Sequence, residues 1–351
     1  MVTSTLAHRW FVGIDLHKET LTVCIYCPCC GEIRFQKLVC RCRKQIAEFF
    51  GTLPRPHVVA IEAVGFYRWL WEMLEPLVDK LVLADATQAR ALAGRRMKTD
   101  REDAQNVAEL LACGRLPTAY APPSHVQILR DCSRQRNTLA RQRAHVLTRV
   151  KSVMNANNRP GPRQLTSARL IRYLEAFEGK LPERHGRYLW QCVDQLVLLD
   201  RQLSQLEREL ERLLGQPPFA DVATILDSFP GAGPITCATV LAEVGDFGRF
   251  MYRKAISRYA GLDPRTFDSA AKQRTGHISK RGPSDLRWVL QQAAWSAIRT
   301  DPDIKHIWLR ISRRAGKKAA AVGVARRLLQ WMWKAVRTGQ AYRAPGTPIA
   351  A

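Results

Sequence analysis

The chain has 351 residues, 46% of them hydrophobic, which allows two or three separate cores and excludes wholesale disorder. Its 55 Lys and Arg against 31 Asp and Glu leave a formal net charge of +24, a surplus that points to polyanionic partners, phosphate backbones foremost. No stretch reaches the ~20 apolar residues of a membrane span, and Met1 to Trp10 lack the apolar run and cleavage site of a secretion signal. No membrane partner and a cytoplasmic, nucleoid-associated location are therefore expected.

In chain order, residues 11–26 (FVGIDLHKETLTVCIY) predict two strands broken by a polar turn at His17 to Glu19, and Ile33 to Cys40 a third strand. A short helix is expected over Lys44 to Leu53, a buried strand over His57 to Ala63, a helix over Tyr67 to Val78, and a strand over Lys80 to Ala84 followed by a further helix. Three strands and then alternating helix and strand is the order of an RNase H-like α/β domain, although periodicity alone yields only α/β. Cys27, Cys29, Cys30, Cys40 and Cys42 crowd this region, with Cys24 just before. Cys27 and Cys30 have the C-x2-C spacing of a zinc site, but reduced thiols acting as small hydrophobes are the favoured reading, and zinc is not expected.

Four carboxylates stand out. Asp15 in VGIDL and Glu62 in VVAIEAVG are acids set in apolar strands, where a lone carboxylate is costly unless a cation meets it. Asp100 and Asp103, in RMKTDREDAQNVAELL, are three apart at a helix start and share one face. Thr99 or Asp100 capping that helix is the competing explanation. Taken as an ensemble, the four suit two hard divalent cations such as Mg2+, with Mn2+ as a substitute, bound through oxygen.

Beyond Pro117 the pattern predicts helices and no further strand. Ser124 to Asn155 carries Arg130, Arg134, Arg136, Arg141, Arg143, Arg149 and Lys151 against one acid, Asp131, the composition of a phosphate-tracking surface. Leu189, Cys192, Leu196, Leu199, Leu203, Leu206, Leu210 and Leu213 then recur at heptad spacing, predicting a coiled-coil hairpin with the basic helix or a dimer contact. ATILDSFPGAGPITCATVLAEVG reads as helix, tight turn, helix, with Gly231 and Gly233 in the turn and backbone N–H groups free to hold phosphate. In YAGLDPRTFDSAAKQRTGHISKRGPSDLRWVL a polar loop is expected between helices, and Arg265, Lys272, Arg274, His277, Lys280 and Arg281 are candidate phosphate contacts. Chemistry alone does not select a nucleophile among Ser269, Ser279 and Ser284.

GIDLHKE, AIEAVGFY and RRMKTDREDA, followed by SFPGAGPIT and AGLDPR…DSAAKQRTGHISKRG, together resemble the insertion-sequence one-ten family of DEDD transposases, its eleven-eleven branch most closely. The resemblance implies a RuvC-like, RNase H-type metal domain over residues 1–120, holding Asp15, Glu62, Asp100 and Asp103. It implies a basic and coiled-coil region over 121–216, a mainly α transposase domain with helix-hairpin-helix over 217–343, and a loose tail over 344–351. It puts the catalytic serine at Ser269, where Ala270 stands in place of the family's usual Gly. It further implies a 5′-phosphoserine intermediate, a bridge RNA pairing with target and donor DNA, and dimers that pair into tetramers with composite sites. Two rival readings remain: a hydrolytic RNase H-like nuclease or junction resolvase, distinguished by the lack of a covalent adduct, and a non-catalytic nucleic-acid-binding protein.

Overall fold

The computed structural model describes residues 10–93, 99–159, 166–176, 180–269 and 272–342, with side chains described at all of these except 93, 265–269 and 272–275. The chain divides into two compact units, Met1–Ala121 and Pro122–Ala351. Among the described residues no helix is long and apolar enough to cross a membrane.

In the first unit, β1 (Trp10–Leu16) and β2 (Thr20–Cys27) form an antiparallel hairpin, and β3 (Glu32–Val39) extends it. β4 (His57–Glu62) and β5 (Lys80–Ala84) lie parallel on the other side of β1, giving the order β3-β2-β1-β4-β5. Parallel strands need crossovers, supplied here by α1 (Arg43–Gly51) and α2 (Arg68–Leu74). Every residue of β1 and β4 is buried, the mark of strands covered on both faces. On one face Val12, Ile14, Leu16, Val59 and Ile61 join Ile46 and Phe50 of α1 and Leu70 and Leu74 of α2. On the other, Phe11, Val58 and Ala60 join Ala89 of α3 (Ala86–Ala93) and Val107 and Leu111 of α4 (Asp100–Ala112). Cys24 and Cys27 belong to these cores, and burial, reinforced by Glu109, pushes the Cys24 thiol up to about 12.

The second unit begins with two long helices, α5 (Ser124–Ala156) and α7 (Glu183–Leu214), joined through α6 (Ser167–Ala176). Arg136 reaches Glu207, Arg143 reaches Asp200, Arg149 reaches Gln195 and Asn157 reaches His185, so the two helices run antiparallel. The apolar seam of α7 is taken up within the chain: Leu189, Cys192, Leu196 and Leu199 pack with Val146, Val150 and Met154 of α5 and with Leu170 and Leu174 of α6.

The remaining helices are α8 (Ala220–Asp227), α9 (Pro234–Val244), α10 (Arg253–Tyr259), α11 (Ser284–Thr300), α12 (Pro302–Ala315) and α13 (Lys317–Thr338). α9 is buried throughout from Thr236 to Val244, and the other helices wrap it in one large core. The expectation of helices alone beyond Pro117, with a polar loop before α11, is corrected here. β6 (Pro264–Ser269) and β7 (Lys272–Ile278) form an antiparallel ribbon in which Ser269 pairs with Lys272. PRTFDS and KQRTGHI lack the alternating apolar residues that reveal a strand, because a two-stranded ribbon has no sheet face to bury and is held by its backbone ladder.

Candidate active site

Asp15 is the last residue but one of the buried strand β1, and Glu62 is the last residue of β4 beside it; Ile14 and Ile61 are register partners, so the two acids sit side by side on neighbouring strands. Both are nearly inaccessible, at 3% and 2% exposure. They share the sheet face that α4 covers, since Asp15 alternates with Gly13, and Glu62 with Ala60. Gly13 lets α4 approach: a Cβ there would collide with the Ala104 carbonyl and lie 2.6 Å from the Ala108 nitrogen. With the helix seated on Gly13 at Ala104, its first turn falls two residues further along β1, next to Asp15. Asp100 and Asp103 are therefore brought near enough to act on Asp15, and Asp103 on Glu62 as well.

The competing explanation for Asp100 was capping. Thr99 is the N-cap residue, with extended backbone and a hydroxyl that accepts from the Glu102 amide at 3.2 Å. The cap is filled without either aspartate.

Burial is the main influence on the sheet acids. It raises the Asp15 carboxyl above its ordinary range, with His17 opposing and Asp103 and Asp100 adding to the rise. Burial likewise raises Glu62, with Arg90 opposing and Asp15 and Asp103 adding. Like charges are thus gathered in a water-poor place, an arrangement that calls for a cation. Side chains supply part of it: His17 Nε2 lies 3.0 Å from Asp15 and 3.4 Å from Asp100, Lys37 Nζ lies 3.4 Å from Asp100, and Arg90 lies 3.6 Å from Glu62. Glu62 Oε2 is still buried without a hydrogen-bond partner. A buried carboxylate oxygen that has no hydrogen bond and meets only the Arg90 guanidinium at 3.6 Å fits a hard divalent cation held among oxygen donors. Asp15, His17 and Asp100 offer ligand atoms within 4.8 Å of one another, the one such group of His, Cys, Asp and Glu among the described residues. His17, Lys37 and Arg90 were not singled out in the sequence; the adjacency of His17 to Asp15 in DLH was the available signal.

Ser269 closes the far end of the β6–β7 ribbon, while Ala270 lies outside the described residues. The ribbon's base is locked by backbone. Ser279 N–H donates to the Asp263 carbonyl at 2.8 Å, Lys280 N–H to the Gly261 carbonyl at 3.1 Å, and Ser279 Oγ to the Asp263 carboxylate at 2.8 Å. Gly261, at φ +67°, faces the Arg281 backbone, and Gly282, at φ +106°, faces the Tyr259 carbonyl; neither has room for a Cβ. The motif residues flanking Ser269 at a distance in sequence thus build the clamp from which its ribbon projects.

The expected phosphate contacts fare differently. Arg130 is corrected: it is buried, and its Nε donates to the Ala242 carbonyl at 2.8 Å, so it holds α9 to α5. Arg134 makes a two-pronged pair with buried Glu243, Arg141 binds Asp285 at 2.7 Å, and Arg149 binds Gln195. The basic face of α5 is largely answered by acids from other helices, which a reading of one helix at a time does not see. Gly231, at φ +79°, is a close-approach residue against the backbone of Ala293 and Ala297 in α11, whereas Gly233 caps α9 with open space around its Cα. His277, within β7, and Lys280 and Arg281, just past it, are exposed, and the side chains of Arg265, Lys272 and Arg274 are not among those described.

Two family models match separate stretches of the chain. A DEDD model of IS110 type, described as "Transposase", matches residues 12–157, which contain all four acids. A second, described as "Transposase IS116/IS110/IS902 family", matches residues 223–309, which contain the ribbon. The chain is 29% identical over 350 residues to a probable family 20 transposase of Pseudomonas aeruginosa, covering 95% of this chain and 98% of that protein. It is 25% identical to the transposase for insertion sequence element IS1111A of Coxiella burnetii, covering 95% and 91% respectively. It is 24% identical to the transposase for IS1328 of Yersinia enterocolitica, covering 81% and 82%.

Proposed function

We propose that the chain is an insertion-sequence transposase of the IS116/IS110/IS902 family, an enzyme that cuts and rejoins DNA, and that it does so by attack of Ser269 on a phosphodiester, with Asp15, Glu62, Asp100 and Asp103 holding Mg2+. The observation that carries this reading is the pair of buried sheet carboxylates, Asp15 and the half-orphaned Glu62, on the very face where α4 delivers two more acids freed from capping.

Bound divalent cations would supply Lewis-acid activation of the phosphodiester and a weakening of the serine proton. The Ser269 hydroxyl oxygen bonds to phosphorus as the P–O3′ bond breaks; the serine proton is given up, and the departing 3′ oxygen leaves protonated. The 5′ phosphate remains esterified to serine until a 3′ hydroxyl from the exchanged strand reverses the step. One phosphoester replaces another, so no nucleotide cofactor is needed. Asp15, Glu62 and the first turn of α4 are fixed by strand register and by the Gly13 contact, which gives the rigid placement that such catalysis requires.

The reading extends to guidance by a structured bridge RNA, to dimers pairing into tetramers on two DNAs, and to the eleven-eleven branch, the last supported by the match to the IS1111A relative. A net charge of +24 suits a protein that grips backbones and leaves sequence to base pairing.

The test is incubation with Mg2+, labelled DNA and RNA from the element's flank, followed by denaturing gels. DNA linked to protein, lost in both Ser269→Ala and Asp15→Ala, is the expected result. Cleaved DNA without adduct that persists in Ser269→Ala would overturn the serine mechanism in favour of hydrolysis.

A further inference from the structure

Five cations, Arg253, Lys254 and Arg258 of α10 with Arg326 and Arg327 of α13, line a cavity of about 670 Å3 in the second unit. One acid shares the lining, Asp263, and its Oδ1 already accepts from Ser279. None of the five cationic side chains has a salt-bridge partner among the described residues, in contrast to the arginines of α5, most of which have one. Arg326 Nε is buried with no hydrogen-bond partner. Arg327 is held below the ordinary arginine range by burial first and then by repulsion from Arg310 and Arg326. Arg326 and Arg327, half-buried and mutually repelling, with the exposed Arg253, Lys254 and Arg258 around the same open space, make a receptor for an anion.

Pro264, which lines the cavity, is the first residue of β6, and Ser269 is the last. Along an extended strand those residues are about 17 Å apart, the rise of roughly five base steps of duplex DNA. We propose that this cavity is a phosphate-binding subsite that grips the DNA backbone about five steps from the bond that is cut, anchoring the strand that the ribbon reaches. Two or more phosphates would be met by the fork-shaped donors of Arg258, Arg326 and Arg327, which suit phosphate oxygens in pairs. Such contacts carry no sequence information, so the subsite fixes where the DNA lies and leaves its sequence unread. The distance to the cut rests on the serine reading above; the binding does not.

Binding is therefore measured without cleavage, on the full chain in EDTA, by fluorescence anisotropy with a labelled DNA duplex of arbitrary sequence and an RNA hairpin of matched length. The expected result for Arg258→Gln/Arg327→Gln is a DNA affinity about tenfold lower, with a salt slope smaller by about 1.8, as for two lost phosphate contacts. Arg258→Lys/Arg327→Lys is expected to keep the slope, which separates loss of charge from loss of packing. Unchanged DNA affinity and slope in the Gln pair would overturn the proposal. So would a loss confined to the RNA, or a loss as large in the Lys pair as in the Gln pair. Failure of Ser269→Ala to abolish adduct formation leaves this measurement untouched.

Discussion

The hydroxyl of Thr99 accepts the Glu102 amide proton at 3.2 Å and thereby closes the start of α4. Cap and acid functions are consequently separable in neighbouring residues. Thr99→Ala is expected to cost about 1 kcal/mol, as for loss of an N-cap. Asp100→Asn is expected to cost no more than about 0.5 kcal/mol, its helix-dipole and surface-pair contribution, yet to abolish the stabilisation by Mn2+ that the proposed metal site predicts for the native chain. Chemical denaturation with and without Mn2+ reads both; the same Mn2+ response in Asp100→Asn as in the native chain would remove Asp100 from the metal set.

Gly13 sets the distance between sheet and helix. Gly13→Val would force α4 away from β1, since the added carbons collide with backbone at Ala104 and Ala108 rather than with a yielding side chain. Destabilisation at the upper end of the usual overpacking cost, about 3 kcal/mol, is expected, together with loss of the Mn2+ response. Retention of that response at lowered stability would mean that the helix start is positioned by something other than this contact.

The raised carboxyls of Asp15 and Glu62 give the metal-free protein an unusual pH response. A carboxyl whose folded pKa lies above its unfolded value adds stability below the unfolded pKa, and that stability is lost as pH rises through the folded one. In EDTA the native chain should lose ground to Asp15→Asn as pH is raised from below the usual carboxylate range to neutrality. Saturating Mg2+ should reverse the difference at neutral pH. Melting curves of the two chains across that range test this; a difference independent of pH would contradict the desolvation of Asp15.

Glu62→Gln preserves shape and removes the charge at a carboxyl only 2% exposed. A fall in DNA cleavage of at least about 100-fold is expected, with folding intact, because the neutral amide is cheaper to bury than the carboxylate. Cleavage within a factor of a few of the native rate would show that Glu62 is a structural acid paired with Arg90.

Arg134 and Glu243 test the reassigned face of α5. Glu243 is 2% exposed and takes both its oxygens' bonds from Arg134. Arg134→Ala strands that carboxylate and should cost about 2 kcal/mol, below the full value for a buried pair because the guanidinium is half-exposed and water can partly replace it. Arg134→Ala/Glu243→Gln should recover most of the loss, as read by thermal melting.

How legible was all this beforehand? Three of the five sheet strands, β1, β2 and β4, show because they bury continuous apolar runs between polar turns, and Asp15 and Glu62 show because they stand in those runs. The helix of Asp100 shows through its apolar spacing and its Thr99 cap. The ribbon of Ser269 does not show, because its order comes from backbone pairing and from a clamp assembled by residues 259–263 and 279–282, sixteen or more positions apart. The pairing of α5 arginines with Glu243, Asp285, Glu207 and Asp200 is equally invisible along the chain, since each partner lies on another helix. Nor does the cavity between α10 and α13 show, since it joins cations some seventy positions apart.

The clamp has one more consequence, mechanical in kind. A ribbon about 17 Å long acts as a lever arm, so a tilt of about 5° at its root moves its end by about 1.5 Å. Displacements near 1 Å are enough to cost a reaction about two orders of magnitude in rate. Gly261 and Gly282 sit at the fulcrum, where their left-handed backbones interlock with Arg281 and Tyr259. The aim of Ser269 is thus decided at a hinge point far from it, and sideways play there is what the two glycines suppress.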